Sequence, residues 1–304
     1  MGPRDAEGLV VAVRPRWVLV RADDESLPCD LPRGLQRGQR TARTSVAVGD
    51  RVHFERVTAR RGRLLQVLPR RTKVSRLGST RPPREHVIAA NVDTLLALQS
   101  ADQPAFNARV LDRLLVVGEV GGIACAIVLN KSDLIAPARA EAWLRPYRDV
   151  PYPCFVISAL SGAGIDALDR YLEGRQTVML GASGVGKSTL LNRLVPGARQ
   201  KTAAISSATG RGVHTTTRVD FIDLPRGALL DTPGLRAIQP WGIGERDLGF
   251  QFPEFRSCLG RCHFKDCLHR SEPDCAVRAA VESGQIDAGR YESYARILAT
   301  LATG

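Results

Sequence analysis

Short apolar or alternating runs fill the first part of the chain, at residues 9–13, 17–20, 46–54 and 63–68. Glycine, proline and charged residues separate these runs, a pattern typical of a fold built from strands alone. Such a segment favours a small five-stranded β-barrel of the OB type, which we predict over residues 1–75.

The pattern changes after residue 86, where apolar strands alternate with helical segments. Residues 92–98 and 124–129 are strand-like apolar runs, and Asn107 can cap a helix between them. This alternation predicts a mostly parallel sheet with helices on both faces, which we place at residues 87–235. Residues 76–86, with two consecutive prolines, are predicted to be a linker.

The last part of the chain has apolar positions at helical spacing. Residues 285–301 carry such a set, which indicates a helix packed against a core. We predict a third, helical domain at residues 236–304. The fold class is therefore a multidomain α/β chain that begins with an OB-type barrel.

Composition adds a bias in charge. The 304 residues carry a formal charge of +12, and residues 1–86 hold 19 basic residues against 9 acidic ones. The rest of the chain is nearly balanced, with 24 against 22. This distribution favours an anionic partner for the barrel. Because neither a signal peptide nor a long apolar run is present, we expect a cytoplasmic protein without membrane contact. No feature demands more than a monomer.

Basic residues concentrate near the end of the predicted barrel, at Arg56, Arg60, Arg61, Arg63, Arg70, Arg71 and Lys73. A basic barrel of this type binds RNA through its surface and loops. We predict an RNA-binding face here; the alternative is a solvated basic face without a ligand.

A glycine-rich segment carries the first chemical motif. It runs through Gly181, Ala182, Ser183, Gly184, Val185, Gly186, Lys187, Ser188 and Thr189. An apolar run precedes it and helical spacing follows, which is the context that a phosphate-binding loop requires. The glycines let backbone amides approach the phosphates. Lys187 is predicted to reach the β- and γ-phosphates, and Ser188 to bind Mg²⁺.

A second motif predicts which base the nucleotide carries. It consists of Asn130, Lys131, Ser132 and Asp133. It follows the run 124–129, at the carboxyl end of a strand, where α/β sheets bind ligands. Asp133 can accept hydrogen bonds from the N1–H and 2-amine of guanine, which adenine lacks. Ser158 and Ala159 follow another short strand and fit a loop that supports guanine O6. The motifs together predict GTP and GDP as ligands.

A third motif begins at Asp231, which can hold Mg²⁺ through water, and reaches Gly234, whose amide can meet the γ-phosphate. The preceding loop offers the hydroxyls of Thr216 and Thr217. Either can bind Mg²⁺, and Thr217 is taken as the ligand. A flexible loop with an ordinary threonine run is the alternative.

Leu235 stands where many GTPases place a glutamine that orients the attacking water. Leucine cannot form a hydrogen bond with water, so we expect slow intrinsic hydrolysis. His214 is the nearest candidate for a catalytic role. The alternative is a structural or solvated histidine.

The order of the motifs is itself informative. The base motif precedes the phosphate loop by about fifty residues, whereas a Ras-like domain has the phosphate loop first and the base motif last. We therefore predict a circularly permuted Ras-like P-loop GTPase domain.

Four of the seven cysteines fall between Cys258 and Cys275, with two histidines among them. In a cytosolic protein such a cluster indicates a metal rather than disulfides. Cys262, Cys267, His269 and Cys275 form a set suited to one tetrahedral, structural Zn²⁺. Spacing alone leaves Cys258 and His263 open as competing ligands.

The combined features closely resemble the family of ribosome small-subunit-dependent GTPase A, RsgA, also called YjeQ. The resemblance rests on the motif order, the basic barrel, the run 214–217 and the sequences 252–255 and 267–269. It covers essentially the whole chain. Asp274 departs from the family pattern, which often has glycine there, and the departure could slightly alter the cysteine loop.

This resemblance implies GTP hydrolysis stimulated by the small ribosomal subunit and a checkpoint role in its late maturation, with contact to its rRNA. It also implies that zinc lies on Cys262, Cys267, His269 and Cys275, with Cys258 and His263 outside the shell. The competing interpretation is a GTP-gated RNA-binding or translation-regulating module whose hydrolysis is incidental.

Overall fold

A computed structural model describes residues 5–23, 25–32, 46–78, 84–196, 219–232 and 239–301. This part of the chain contains a closed barrel, a two-stranded sheet, a six-stranded sheet with flanking helices, and a C-terminal helical region. No helix in these ranges is both long and apolar enough to cross a membrane.

The predicted five-stranded barrel is confirmed. Its strands are β1 (Asp5–Val13), β2 (Trp17–Ala22), β3 (Glu25–Asp30), β4 (Arg51–Thr58) and β5 (Arg61–Val67), closed in the order β1-β2-β3-β5-β4. Alternate residues such as Val18, Val20 and Phe54 are fully buried inside it. Strand β3 was not predicted, because only Leu27 and Cys29 of its six residues are buried.

A two-stranded antiparallel sheet lies between the barrel and the α/β domain. It pairs β6 (Lys73–Leu77) with β7 (Glu85–Ala90), so both strands extend into the segment predicted as a linker, 76–86. Its second strand touches the loop that leads into β4. Gly49 there has φ +90°, and a Cβ atom would lie 2.0 Å from the Ala90 carbonyl oxygen. Only glycine fits this approach.

The six-stranded sheet contains β8 (Thr94–Ser100), β9 (Ala124–Asn130), β10 (Cys154–Val156), β11 (Arg175–Gly181), β12 (Asp220–Leu224) and β13 (Gly227–Asp231). The helices between them are α1 (Ala108–Val120), α2 (Pro137–Arg148), α3 (Ile165–Leu172) and α4 (Lys187–Leu194). Two separate apolar clusters pack on this domain. The predicted parallel sheet with flanking helices is therefore confirmed.

Sheet order explains the permutation. The neighbours are β10-β9-β8-β11-β13-β12, and every pairing is parallel except that of the edge strand β12. Strand β11, which enters the phosphate loop, is interior to the sheet. Numbering the strands from β11 gives the order 6-5-4-1-3-2. Permutation thus moves the chain termini and leaves the strand neighbours unchanged.

The C-terminal region packs on the α/β domain. It begins with two 3₁₀ helices, Glu245–Gln251 and Pro253–Phe255, and continues into α5 (Ala276–Glu282) and α6 (Ala288–Leu301). Its core contains the rings of Phe252, Phe255 and Tyr294. Val116 of α1 belongs to the same cluster, so the two regions share one apolar interface.

A buried ionic group crosses this interface. Arg290 of α6 pairs with Asp112 of α1 and with Glu254, and all three side chains are almost completely buried. Tyr147 donates a hydrogen bond to Asp112 at 2.8 Å. Burial by itself would lower the pKa of Arg290, but the two carboxylates outweigh it and the net shift is upward.

Replacing Arg290 by alanine should lower the free energy of unfolding by about 3–5 kcal/mol, because two buried carboxylates lose their counter-charge. Arg296 on the same helix is the matched control, since its ion pair with Glu292 is exposed. Arg296→Ala should cost no more than about 0.5 kcal/mol. Urea unfolding followed by circular dichroism measures both variants. Equal losses would contradict a buried ionic link.

Candidate active site and metal centre

The phosphate loop has the predicted strand–loop–helix frame. Strand β11 ends at Gly181, and α4 begins at Lys187. Gly184 and Gly186 have φ values of +84° and +94°, in the left-handed region that favours glycine. The loop therefore presents backbone amides and a helix N-terminus together, an arrangement that binds phosphate.

Lys187 lies over this loop. Its Nζ donates hydrogen bonds to the carbonyl oxygens of Gly181 at 2.6 Å and Ala182 at 2.8 Å. Burial lowers the pKa of Lys187, and the nearby carboxylate of Asp231 partly opposes that shift. The ammonium group is thus held at the loop, where a phosphate oxygen can replace the carbonyl partners.

Two of the three predicted Mg²⁺ residues, Asp231 and Ser188, lie at the same edge of the sheet. In the register of the sheet, Asp231 of β13 is paired with Met179 of β11, which lies two residues before the phosphate loop begins. Ser188 is the second residue of α4. A carboxylate and a hydroxyl are oxygen ligands of the kind that Mg²⁺ prefers, so these residues fit the ion.

Asn130 joins three motifs through one buried amide. Its side chain is 2% exposed, its Nδ2 donates to the Val185 carbonyl at 2.9 Å, and its Oδ1 accepts from the Ala159 amide at 2.9 Å. A Cβ atom on Gly186 would lie 2.2 Å from Asn130 Nδ2. Sequence reasoning placed Asn130 in the base motif alone, because no local pattern signals its bond to the phosphate loop.

The rest of the base motif is held from both sides. Lys131 has φ +61° and donates through Nζ to the carbonyls of Asp102 and Gln103. The Ser132 amide donates to the Ile157 carbonyl at 3.0 Å. Asp133 is exposed, so its carboxylate is accessible to a ligand.

The loop that contains Ser158 and Ala159 is tightly curled. Ser158 donates through its amide to the Ala163 carbonyl at 2.9 Å, and its Oγ accepts from the Ser161 amide at 3.1 Å. The Asn130 side chain fixes the Ala159 amide. The structure thus brings this loop, the base motif and the phosphate loop together.

Four predicted site residues lie outside the described part of the chain: His214, Thr216, Thr217 and Gly234. Within that part, the phosphate loop, the base motif and Asp231 surround one region at the carboxyl ends of the parallel strands. This arrangement suits a guanine nucleotide bound with Mg²⁺.

The four predicted zinc ligands converge, and their ligand atoms all lie within 4.8 Å of one another. They are Cys262, Cys267, His269 and Cys275. The Cys262 and Cys275 sulfurs are 3.9 Å apart, and His269 Nδ1 lies 3.5 and 3.4 Å from them. Tetrahedral zinc with bonds of about 2.3 Å separates its sulfur ligands by about 3.8 Å. The four residues therefore fit this metal.

The competing ligands lie elsewhere. Cys258 is buried in the aromatic core, and the His263 ring packs edge-on against Phe264 at 4.8 Å. No second group of three or more His, Cys, Asp or Glu ligand atoms converges among the residues that the structure describes. Asp274 has φ +51°, a conformation natural to glycine that aspartate tolerates. Its departure from the family pattern leaves the ligands together.

Hydrogen bonds around the cluster fix its loop. Tyr291 donates to the His269 carbonyl at 2.7 Å, and Tyr294 donates to the Leu268 carbonyl at 2.8 Å. Burial would raise the pKa of Glu272, but the amides of its own loop, including that of Leu268, lower it overall. Burial also lowers the pKa of His269, which favours the neutral form that ligates metals.

The basic face of the barrel is largely neutralised. Six of the seven predicted RNA-binding residues pair with carboxylates: Arg56 with Glu25, Arg61 with Asp30, Arg63 with Glu55, Arg70 with Asp50, Arg71 with Asp93 and Lys73 with Glu85. Within the described ranges Arg60 has no such pair. Arg70 is bound at two points to the fully buried Asp50, which is a structural contact.

The chain is similar to known proteins over most of its length. A family model described as RsgA GTPase matches residues 67–241. The small ribosomal subunit biogenesis GTPase RsgA of Gemmatimonas aurantiaca is 40% identical, over 87% of this chain and 87% of that protein. The protein of the same name from Bacteroides fragilis is 35% identical, over 96% of each.

Solved structures give the same result. The crystal structure of YjeQ from Thermotoga maritima matches with a TM-score of 0.76 at 31% identity, over 98% of this chain and 99% of that one. YloQ, a circularly permuted GTPase, matches with a TM-score of 0.71 at 28% identity, over 99% and 96%. The likeness therefore extends over nearly the whole chain, from the barrel to the C-terminal region.

Two variants distinguish a residue that recognises the guanine base from a residue that holds the loops of the site together. Asp133→Asn should weaken GDP binding by about 10–100-fold and favour xanthosine diphosphate, because a charged acceptor matched to guanine is lost. Asn130→Ala should weaken both nucleotides alike, since it removes the link between the loops. Titration calorimetry with the two nucleotides measures this. An Asp133→Asn variant with unchanged preference would refute the assignment.

Proposed function

The chain belongs to the RsgA GTPase family, and from this premise we propose that it is a GTPase stimulated by the small ribosomal subunit. It would act late in maturation of that subunit, and hydrolysis of GTP to GDP and phosphate would drive its release. The observation that carries this proposal is the hydrogen-bonded convergence of the phosphate loop and the base motif, in the same chain as a barrel and a cysteine cluster. Relatives that match 87% and 96% of this chain are named small ribosomal subunit biogenesis GTPases.

The residues of the site have separate tasks in hydrolysis. Lys187 and the loop amides would stabilise charge on the transferred phosphoryl group. Ser188, Asp231 and Thr217 would hold Mg²⁺, which neutralises phosphate charge when bound. The Gly234 amide would meet the γ-phosphate. Since Leu235 cannot orient water, we assign that task to His214, brought into place by contact with the subunit.

The anionic partner would meet the barrel. Residues 1–86 carry the excess positive charge of the chain, and the segment 33–45 contributes four arginines and no acidic residue. The paired arginines of the described barrel would have to exchange a carboxylate for a phosphate. The competing proposal, an RNA-binding module with incidental hydrolysis, draws on the same charge.

Purified small subunits should accelerate phosphate release by this protein, whereas large subunits and bulk RNA should not. His214→Ala should bind GTP and subunits normally but lose most of the stimulated rate, with little change in the slow basal rate. Phosphate release is measured at saturating GTP. No stimulation of the wild-type protein would favour the incidental-hydrolysis alternative, and full stimulation of His214→Ala would place the water-orienting group elsewhere.

We also propose that the cysteine cluster holds one structural zinc ion. Metal analysis should find one zinc per chain, retained in Cys258→Ala and lost in Cys262→Ala and Cys275→Ala. Loss should unfold the region near residues 255–280, because ligand bonds there supplement a small core. Protease sensitivity reads out the unfolding. A metal-free protein that resists protease normally would contradict the assignment.

A further inference from the structure

Arg193, near the end of α4, reaches the loop assigned to the guanine base. Its Nη2 donates a hydrogen bond to the Leu160 carbonyl at 3.0 Å. Leu160 is itself 79% exposed, so its side chain has little packing to hold it. The helix that begins at the phosphate loop therefore also contacts the base loop.

Gly162 makes room for this contact. A Cβ atom there would lie 2.7 Å from Arg193 Nη2 and 3.2 Å from Cζ, so the guanidinium rests directly against the glycine. The residue also has φ +95°, in the left-handed region. Two independent constraints thus favour glycine at this position of the loop.

We propose that Arg193 is a positioning residue for guanine recognition. The base loop is held on one side by Asn130, through the Ala159 amide, and on the other side by Arg193, through the Leu160 carbonyl. Its backbone amides can meet O6 of the base only while the loop keeps this place. The inference rests on the proposed role of the 158–163 loop in binding O6.

The test compares GDP with 2-aminopurine riboside diphosphate, which lacks O6. Arg193→Ala should weaken GDP binding about tenfold, the effect of losing one hydrogen bond to a charged donor. The analogue should lose less than about twofold, because it has no oxygen for the loop to recognise. Its missing N1 proton affects wild type and variant alike and cancels in the comparison.

Matched controls separate this effect from general damage. Arg170 lies on α3, and within the described residues its side chain donates only to the Asp166 carbonyl of the same helix, so Arg170→Ala should leave both affinities unchanged. Gly162→Ala should reproduce the Arg193→Ala pattern. Gly174→Ala introduces a side chain at a similar φ, +72°, where, its chain neighbours aside, no described residue comes within 4 Å, and it should leave both affinities unchanged.

Calorimetric titration of the full chain with Mg²⁺ and each nucleotide decides the outcome. Equal losses for GDP and the analogue would overturn the inference, because Arg193 would then act on the phosphate end alone. Unchanged GDP affinity in Arg193→Ala would also overturn it. Failure of the wild-type protein to bind GDP would instead refute the nucleotide site itself.

Discussion

One buried side-chain amide sets the distance between the two ends of the nucleotide site. Asn130 ends β9, and the phosphate loop follows β11, with β8 between them in the sheet. Adjacent strands lie about 4.8 Å apart, so the two motifs begin nearly 10 Å from each other. The hydrogen bond from Asn130 to Val185 closes that gap, and it requires Gly186 to have no side chain. Because the contact joins the end of β9 to the loop after β11, it does not depend on which strand comes first in the chain.

The permutation determines which region of the chain follows the nucleotide-binding domain. After β13 the chain continues directly into the C-terminal region, which packs on α1 through Arg290 and Asp112. That helix starts at its cap Asn107, a few residues after the carbonyls of 102–103 that accept from Lys131. The cysteine cluster is therefore linked to the nucleotide site by the backbone beyond Asp231 and by packing through α1. Any coupling between the two places would be reciprocal, as thermodynamic linkage requires.

Motifs were predictable from sequence because their chemistry needs particular residues close together in the chain. The strands β8 and β9 were predictable for another reason, because their long apolar runs indicate buried strands. Long-range register was not predictable: β3 presents only two buried side chains, and Arg61 meets Asp30 across 31 positions. Spacing alone left the choice among the cysteine ligands open, and only the resemblance implied it; the fold gives the physical reason, because Cys258 has the right chemistry but is buried in the aromatic core. Residues 214, 216, 217 and 234 lie outside the described chain, so their predicted roles stay predictions.

The ion pairs on the barrel reduce the number of its arginines that are available to bind phosphate. Counting basic residues treats each arginine as a site that displaces a counterion from nucleic acid. An arginine already paired with a carboxylate attracts phosphate less, because the carboxylate must be separated from it first. Arg70 cannot be recruited in this way without leaving Asp50 buried and uncompensated. The number of counterions that RNA binding would release therefore depends on cations without a carboxylate partner, such as Arg60 in the described part of the chain, and on the cost of opening the exposed pairs. Net charge alone overstates the electrostatic part of the affinity.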